Sequence, residues 1–237
     1  MRRLVVAAFV TLDGVMQAPG GPEEDPTGGF SQGGWSVPYW DDTMNQAMST
    51  VFADPFALLL GRRTYEIFAA HWPHVNEAAR AERGGTPSEV DDPAATALNA
   101  ATKYVASRTL TEVTWQNSEL LRGDVTAAVA KLKEEDGPDL LTQGSSELIQ
   151  SLLTADLVDE LRVWTFPVLV GPGKRLFASS TLAAGFELVE APTSTTGVVM
   201  ATYRRAGDVQ RGAFTFDVPT EEEVERRRKW GAEDSAS

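Results

Sequence analysis

Four times along this chain a short apolar run stops at a turn of small, polar or basic residues. The units are LVVAAFV with TLDG (4–14), FALLL with GRRTYE (56–66), KYVA with SRT (103–109) and LL with TQGSSE (140–147). Short runs rich in Val and Leu, bounded by turn residues and alternating with helical patterns, read as strands buried in a largely parallel sheet. In such sheets the turns leave the C-terminal ends of the strands, where ligands bind. The pattern therefore constrains the chain to an α/β fold with one ligand edge assembled from several separate loops.

The intervening segments fit that plan. Strand 1 is expected over 3–11. Residues 17–38 are too rich in Gly and Pro for regular structure, yet they carry Phe30 and Trp35, so they read as an active-site loop or lid. A helix is expected at 41–52, and another from Thr64 to about Ala70 that stops before Pro73. Residues 82–93 read as a surface loop, 94–101 as an Ala-rich helix and 113–118 (VTWQNS) as a strand. Val125, Ala128, Val129 and Leu132 form the stripe of an amphipathic helix. A strand at 139–142 precedes a helix beginning near Ser145. Residues 159–170 read as a long strand, and 186–191 with 198–205 as a closing antiparallel pair. A charged helix is expected at 219–230, with Thr220 and Glu223 in capping-box spacing, and a disordered tail at 231–237. The chain thus divides into a domain at 1–205 and a C-terminal extension at 206–237.

A formal charge of −13 over 237 residues argues against a nucleic-acid or anionic-membrane partner. Against that field the arginines in the turns are local positive spots suited to an anionic cofactor. With no cysteine there are no disulfides, thiolate metal sites or cysteine nucleophiles. The start MRRLVVAAFVTL resembles a secretory signal only superficially, because no small-residue cleavage pattern follows. No segment is long enough to span a membrane, and the expectation is a cytoplasmic protein. His71 and His74 flank Trp72-Pro73, and no metal site is expected there.

Three turns are candidates for holding phosphate. In Gly61-Arg62-Arg63-Thr64 the glycine lets the backbone turn sharply, and the following N–H groups belong to a helix N-terminus, which attracts anions. Arg62 and Arg63 offer forked donors for a second phosphate, and Thr64 caps the helix or donates to a phosphate oxygen. In Gln143-Gly144-Ser145-Ser146 the glycine allows close backbone approach at the start of the next helix, with Gly144 and Glu147 in N-cap and N3 positions. Ser107-Arg108 is the third. Each turn alone is equally an ordinary cap or strand end; as a set they would emerge along one sheet edge. Asp13-Gly14 and Asp41-Asp42 are the acids nearest the lid, and one of Asp41 and Asp42 is the candidate to orient a heterocycle or supply a proton.

As an ordered set, these residues resemble the dihydrofolate reductase-like superfamily, and more closely the C-terminal reductase domain of the riboflavin-biosynthesis deaminase/reductase. The matching pieces are Leu12-Asp13-Gly14, GRRTYE, SRT, TQGSSELIQSLL and LVDELRVWTFPVLVGPGKRLF, over roughly 1–205. The resemblance implies a three-layer fold: a mixed, mostly parallel sheet flanked by helices, with antiparallel C-terminal strands. It also implies NADPH as cofactor, a homodimer, and hydride transfer to a pyrimidine- or pterin-like heterocycle. By it, Gly61, Arg62, Arg63 and Thr64 hold cofactor phosphates, and Ser107 and Arg108 sit near the 2′-phosphate. Gln143, Gly144, Ser145 and Ser146 sit near the pyrophosphate, and the loop from Gln17 to Trp35 lies over the nicotinamide. One departure is visible. Dihydrofolate reductases place a substrate acid in a Trp-x-x-Pro-x-Asp run, whereas Trp35-Ser-Val-Pro38-Tyr-Trp40-Asp41 puts it one position late. A non-catalytic nucleotide-binding module, or a reductase of another small substrate, remains an alternative.

Overall fold

The computed structural model describes residues 1–84, 86, 90–177, 181–214 and 218–234. Its strands are β1 (Leu4–Thr11), β2 (Phe56–Gly61), β3 (Lys103–Ala106), β4 (Ser118–Leu121), β5 (Asp139–Thr142), β6 (Glu160–Phe166), β7 (Phe186–Glu190) and β8 (Val199–Arg205). They form one sheet in the order β4-β3-β2-β5-β1-β6-β8-β7. Pairings from β4 across to β6 are parallel; β6–β8 and β8–β7 are antiparallel. The mixed sheet with its antiparallel C-terminal end is the architecture that the resemblance implied.

Helices cover both faces. Side chains alternate across a strand. Leu4, Val6, Ala8 and Val10 of β1 therefore join a core formed with α4 (Val125–Glu134) and α5 (Ser146–Thr154). Val5, Ala7 and Phe9 face the opposite layer, made by α1 (Asp42–Val51), α2 (Arg62–Arg83) and α3 (Pro93–Ala100). Among the described residues no helix is long and apolar enough to cross a membrane.

Several boundaries differ from the sequence reading, each for a physical reason. The helix α2 runs through Pro73 to Arg83. Proline removes one intrahelical bond, but Phe68, Ala69 and Trp72 pack into the core in the turn before it, and Asn99 donates to the Trp72 carbonyl at 2.9 Å. The expected loop at 82–93 therefore begins inside a helix, and residues 85 and 87–89 lie outside the described residues. The expected strand at 113–118 starts only at Ser118, because the Thr114 and Trp115 amides donate to the Tyr65 hydroxyl at 2.8 and 2.9 Å rather than to a neighbouring strand. The strand β6 ends at Phe166, before Pro167, which has no N–H to give a ladder.

Lys103, at the start of β3, is 0 % exposed. Its ammonium donates to the carbonyls of Asn99, Ala101 and Gln116 at 2.9, 2.7 and 3.1 Å and lies 4.3 Å from the Trp115 ring centroid. It ties the end of α3 to the segment before β4.

The chain divides into compact units at Met1–Gly207 and Asp208–Ser237. In the second unit α6 (Glu221–Asp234) carries Glu223 paired with Arg226 and Arg227, and Glu225 paired with Arg228. The Glu223 amide meets the Thr220 hydroxyl at 3.3 Å, half of the expected capping box. The helix extends four residues into the expected disordered tail, of which 235–237 lie outside the described residues.

Candidate active site

A cleft of about 1350 Å³ opens at the C-terminal ends of the parallel strands. It is walled by the turns after β2, β3, β4 and β5, by Ala7, Ala8 and Phe9 of β1, and by Arg162 and Trp164 of β6. The predicted turn residues Gly61, Arg62, Arg63, Thr64, Ser107, Arg108, Gln143, Gly144, Ser145 and Ser146 all line it. The sheet order puts them on one side of the cleft and Phe9 and Trp164 on the other.

The turns after β2 and β5 are pressed together. Ser145 Oγ accepts the Gly61 N–H at 2.7 Å and donates to Thr64 Oγ1 at 2.7 Å. Gly61 is extended (φ −77°, ψ 163°), so the position needs glycine for proximity rather than for turning. A Cβ there would stand 2.8 Å from Ser145 Oγ. Ser145 is left-handed (φ 64°), a conformation that costs a non-glycine residue about 1 kcal/mol or more. It forms the N-cap of α5 itself, with no side-chain cap, so Gly144 lies one position before the expected cap. The N-termini of α2 and α5 thus both open on the cleft with unspent backbone N–H groups.

The remaining turn residues are partly engaged. Arg62 pairs with Glu66 at 3.2 Å, and Arg63 donates to Thr27 Oγ1 at 2.8 Å. Ser107 is buried and accepts the Thr109 and Leu110 amides at 3.1 and 2.9 Å, so its oxygen shapes its own loop, while Arg108 is exposed.

The acids and the lid aromatic are placed elsewhere. Asp41 caps α1 through the Met44 amide at 2.9 Å and takes the Thr195 amide and hydroxyl at 2.8 and 2.6 Å. These bonds, Thr195's first among them, hold its carboxyl below the usual range. Asp42 is the exposed first residue of α1. Neither lines the cleft. Asp13 accepts the Thr11 hydroxyl and the Gly171 amide, and Gly14 (φ 79°) makes the turn. Trp35 is buried with Phe30 against Phe166, its Nε1 donating to the Gln17 carbonyl at 2.8 Å. The aromatics therefore root the loop in the core, and the part that faces the cleft is Met16–Gly20 with Glu24 and Asp25.

Sequence reasoning missed the aromatic wall. Phe9 stacks on Trp164 (5.2 Å between centroids, 23° between planes), and Trp40 lies 5.8 and 6.0 Å from the two. Trp40 is 37 % exposed. The available signal was Ala7-Ala8 within an otherwise bulky strand, where small side chains leave room for a ligand. Lys174, also in the wall, pairs with Asp25 and donates to Thr27 Oγ1 at 2.8 Å. Among the described residues no cluster could hold a metal ion.

Sheet order, helical layers and an edge cleft define a dihydrofolate reductase-like α/β domain. Similarity to known proteins agrees. The chain belongs to the RibD C-terminal domain family, whose model matches residues 2–200. It is 28% identical over 210 residues to the uncharacterized protein YyaP of Bacillus subtilis (strain 168), covering 87% of this chain and 96% of that one. A solved structure from Shewanella sp. PV-4, named for riboflavin biosynthesis, superposes with a TM-score of 0.62 at 20% identity, covering 86% and 99%. Dihydrofolate reductase from Enterococcus faecalis, complexed with NADP(H), gives 0.50 at 15% identity over 86% and 96%.

Proposed function

We propose that the chain is an NADPH-dependent reductase acting on a pyrimidine- or pterin-like heterocycle. One observation carries this reading. A single cleft joins two open helix N-termini and three arginines on one side to the faces of Phe9, Trp40 and Trp164 on the other. The donor set fits a dinucleotide phosphate: backbone N–H groups and guanidiniums donate only, and Gly61 and Gly144 keep the two turns close. The volume exceeds that of an ordinary single-ligand pocket.

The backbone of Arg62–Thr64 and Ser145–Ser146 would hold the pyrophosphate, and Arg62, Arg63 and Arg108 the 2′-phosphate. When bound, NADPH supplies a hydride from its dihydronicotinamide ring. Met16–Gly20 would cover that ring and exclude water, while Phe9 and Trp164 hold a flat substrate by stacking. Residues 1–205 carry this work in the cytoplasm, and the resemblance adds a homodimer, which sedimentation of the purified chain tests.

Tryptophan fluorescence titration with NADPH and NADH tests the cofactor. NADPH binds more tightly, and equal affinities overturn the assignment of the arginines. Turnover is tested by NADPH oxidation with a ribosylaminopyrimidine and with dihydrofolate. The engagement of Asp41 with Thr195 favours one rival, a nucleotide-binding module without turnover; binding with no oxidation on any substrate would establish it.

A further inference from the structure

A reduction at a C=N or C=O bond needs a proton as well as a hydride, and Asp41 and Asp42 stand outside the cleft. The acids that line it are Glu24, Asp25, Asp92, Asp124 and Glu147. Four of these are committed or solvated. Asp25 is bonded by Lys174 and Thr27, which keep it below the usual carboxylate range despite burial. Asp92 and Asp124 are exposed and cap α3 and α4 through the Ala95 and Ala127 amides. Glu147 is exposed.

Glu24 differs. It stands on the loop that walls the cleft beside Met16–Gly20, and no cation pairs with it among the described residues. The Gly20 amide fixes Oε2 at 2.6 Å, and a Cβ on Gly20 would come within 3.1 Å of that oxygen. The carboxyl is therefore aimed by its own loop. Burial pushes its pKa above the ordinary 4.5 and the neighbouring charge of Asp25 acts in the same direction, outweighing the Gly20 and Gly21 amides, which pull it down. Lys174 pairs with Asp25, and Arg63 gives one hydrogen bond to Thr27 Oγ1.

We propose that Glu24 is the proton donor of the reduction, a catalytic role that rests on the reductase reading above. The substrate carbon receives hydride from the dihydronicotinamide, and the π-electron pair of the C=N or C=O bond moves onto nitrogen or oxygen. That atom takes the proton from the Glu24 carboxyl. Oxidised cofactor, reduced substrate and a Glu24 carboxylate result, and the half-buried carboxylate regains its proton from water.

The test compares the full chain with Glu24→Gln and Glu24→Asp, using NADPH and the two-substrate panel. In Glu24→Gln the NADPH Kd is unchanged, kcat falls by about 100-fold or more, and the alkaline limb of the kcat profile disappears. Glu24→Asp restores part of the rate. A Gln variant that binds NADPH and turns over at the parent rate overturns the proposal and leaves the reductase reading standing. A parent that neither binds nor oxidises NADPH overturns both. Independently of turnover, NMR titration of the Glu24 carboxyl in the parent gives a midpoint above 4.5; a midpoint at or below it overturns the proposal even if the Gln variant fails to fold.

Discussion

Ser145 and Gly61, 84 residues apart, share a 2.7 Å hydrogen bond that joins the turns after β5 and β2. Each position is constrained by the other: the serine holds a left-handed backbone, and the glycine leaves room for its hydroxyl. Ser145→Ala removes both hydroxyl bonds and keeps the unfavourable φ. Ser145→Gly loses the same bonds but relieves the backbone. Glycine is therefore the milder change, by about 1 kcal/mol in urea denaturation. Alanine equal to or more stable than glycine would contradict the strain argument.

Gly61→Ala puts a methyl group 2.8 Å from Ser145 Oγ and 2.9 Å from its Cβ. The turns must part, so the expected result is a lower melting temperature together with weaker NADPH binding. Calorimetry and fluorescence titration read the two effects; an unchanged Kd in the folded variant would remove this junction from the cofactor site.

Arg108→Ala should weaken NADPH and leave NADH affinity unchanged, because the guanidinium is exposed and makes no bond that holds the fold among the described residues. The loss of a charge-assisted contact corresponds to about 1.5–3 kcal/mol, or roughly tenfold to 150-fold in Kd. Equal weakening of both nucleotides would place Arg108 at a phosphate that they share.

Lys103→Met keeps the volume and leaves the Ala101 and Gln116 carbonyls without the ammonium, at a cost of about 1–3 kcal/mol. Burial lowers the Lys103 pKa to about 8. Between about 8 and the ordinary 10.5 the folded chain binds fewer protons at this site than the unfolded chain, so parent stability gains from Lys103 as pH rises through that window. The Met variant lacks this gain. Parallel stability–pH curves for the two proteins from pH 7 to 10.5 would refute the shift.

A chain ending at Gly207, where the first compact unit ends, should fold and bind NADPH as the full chain does. Loss of binding in a folded truncation would assign the last thirty residues a part in the site.

The strands were legible because burial on both faces leaves an uninterrupted apolar run, as in Leu58–Leu60 and Leu140–Leu141. The turns that line the cleft were legible for a similarly local reason, glycine and small polar residues at a strand-to-helix junction. What escaped depends on partners far away in sequence. Asp41 is withdrawn by Thr195, 154 positions on, and VTWQN is kept from pairing by Tyr65, about 50 positions back. Trp35 reads as part of a lid because a plain Gly- and Pro-rich linker has little use for an aromatic, but Phe166 and Phe30 bury it. Glu24 resembled any acid in a solvated loop until the fold put it in a cleft wall.

The two sides of the cleft are made of different material. Beside the helix starts it is largely main chain, and every residue type except proline carries the N–H that does the work there. Beside β1 and β6 it consists of individual rings, each replaceable without disturbing a hydrogen-bond ladder. Descent with modification can therefore exchange Phe9, Trp40 or Trp164 and change what that wall accepts, while the two helix starts opposite are inherited intact.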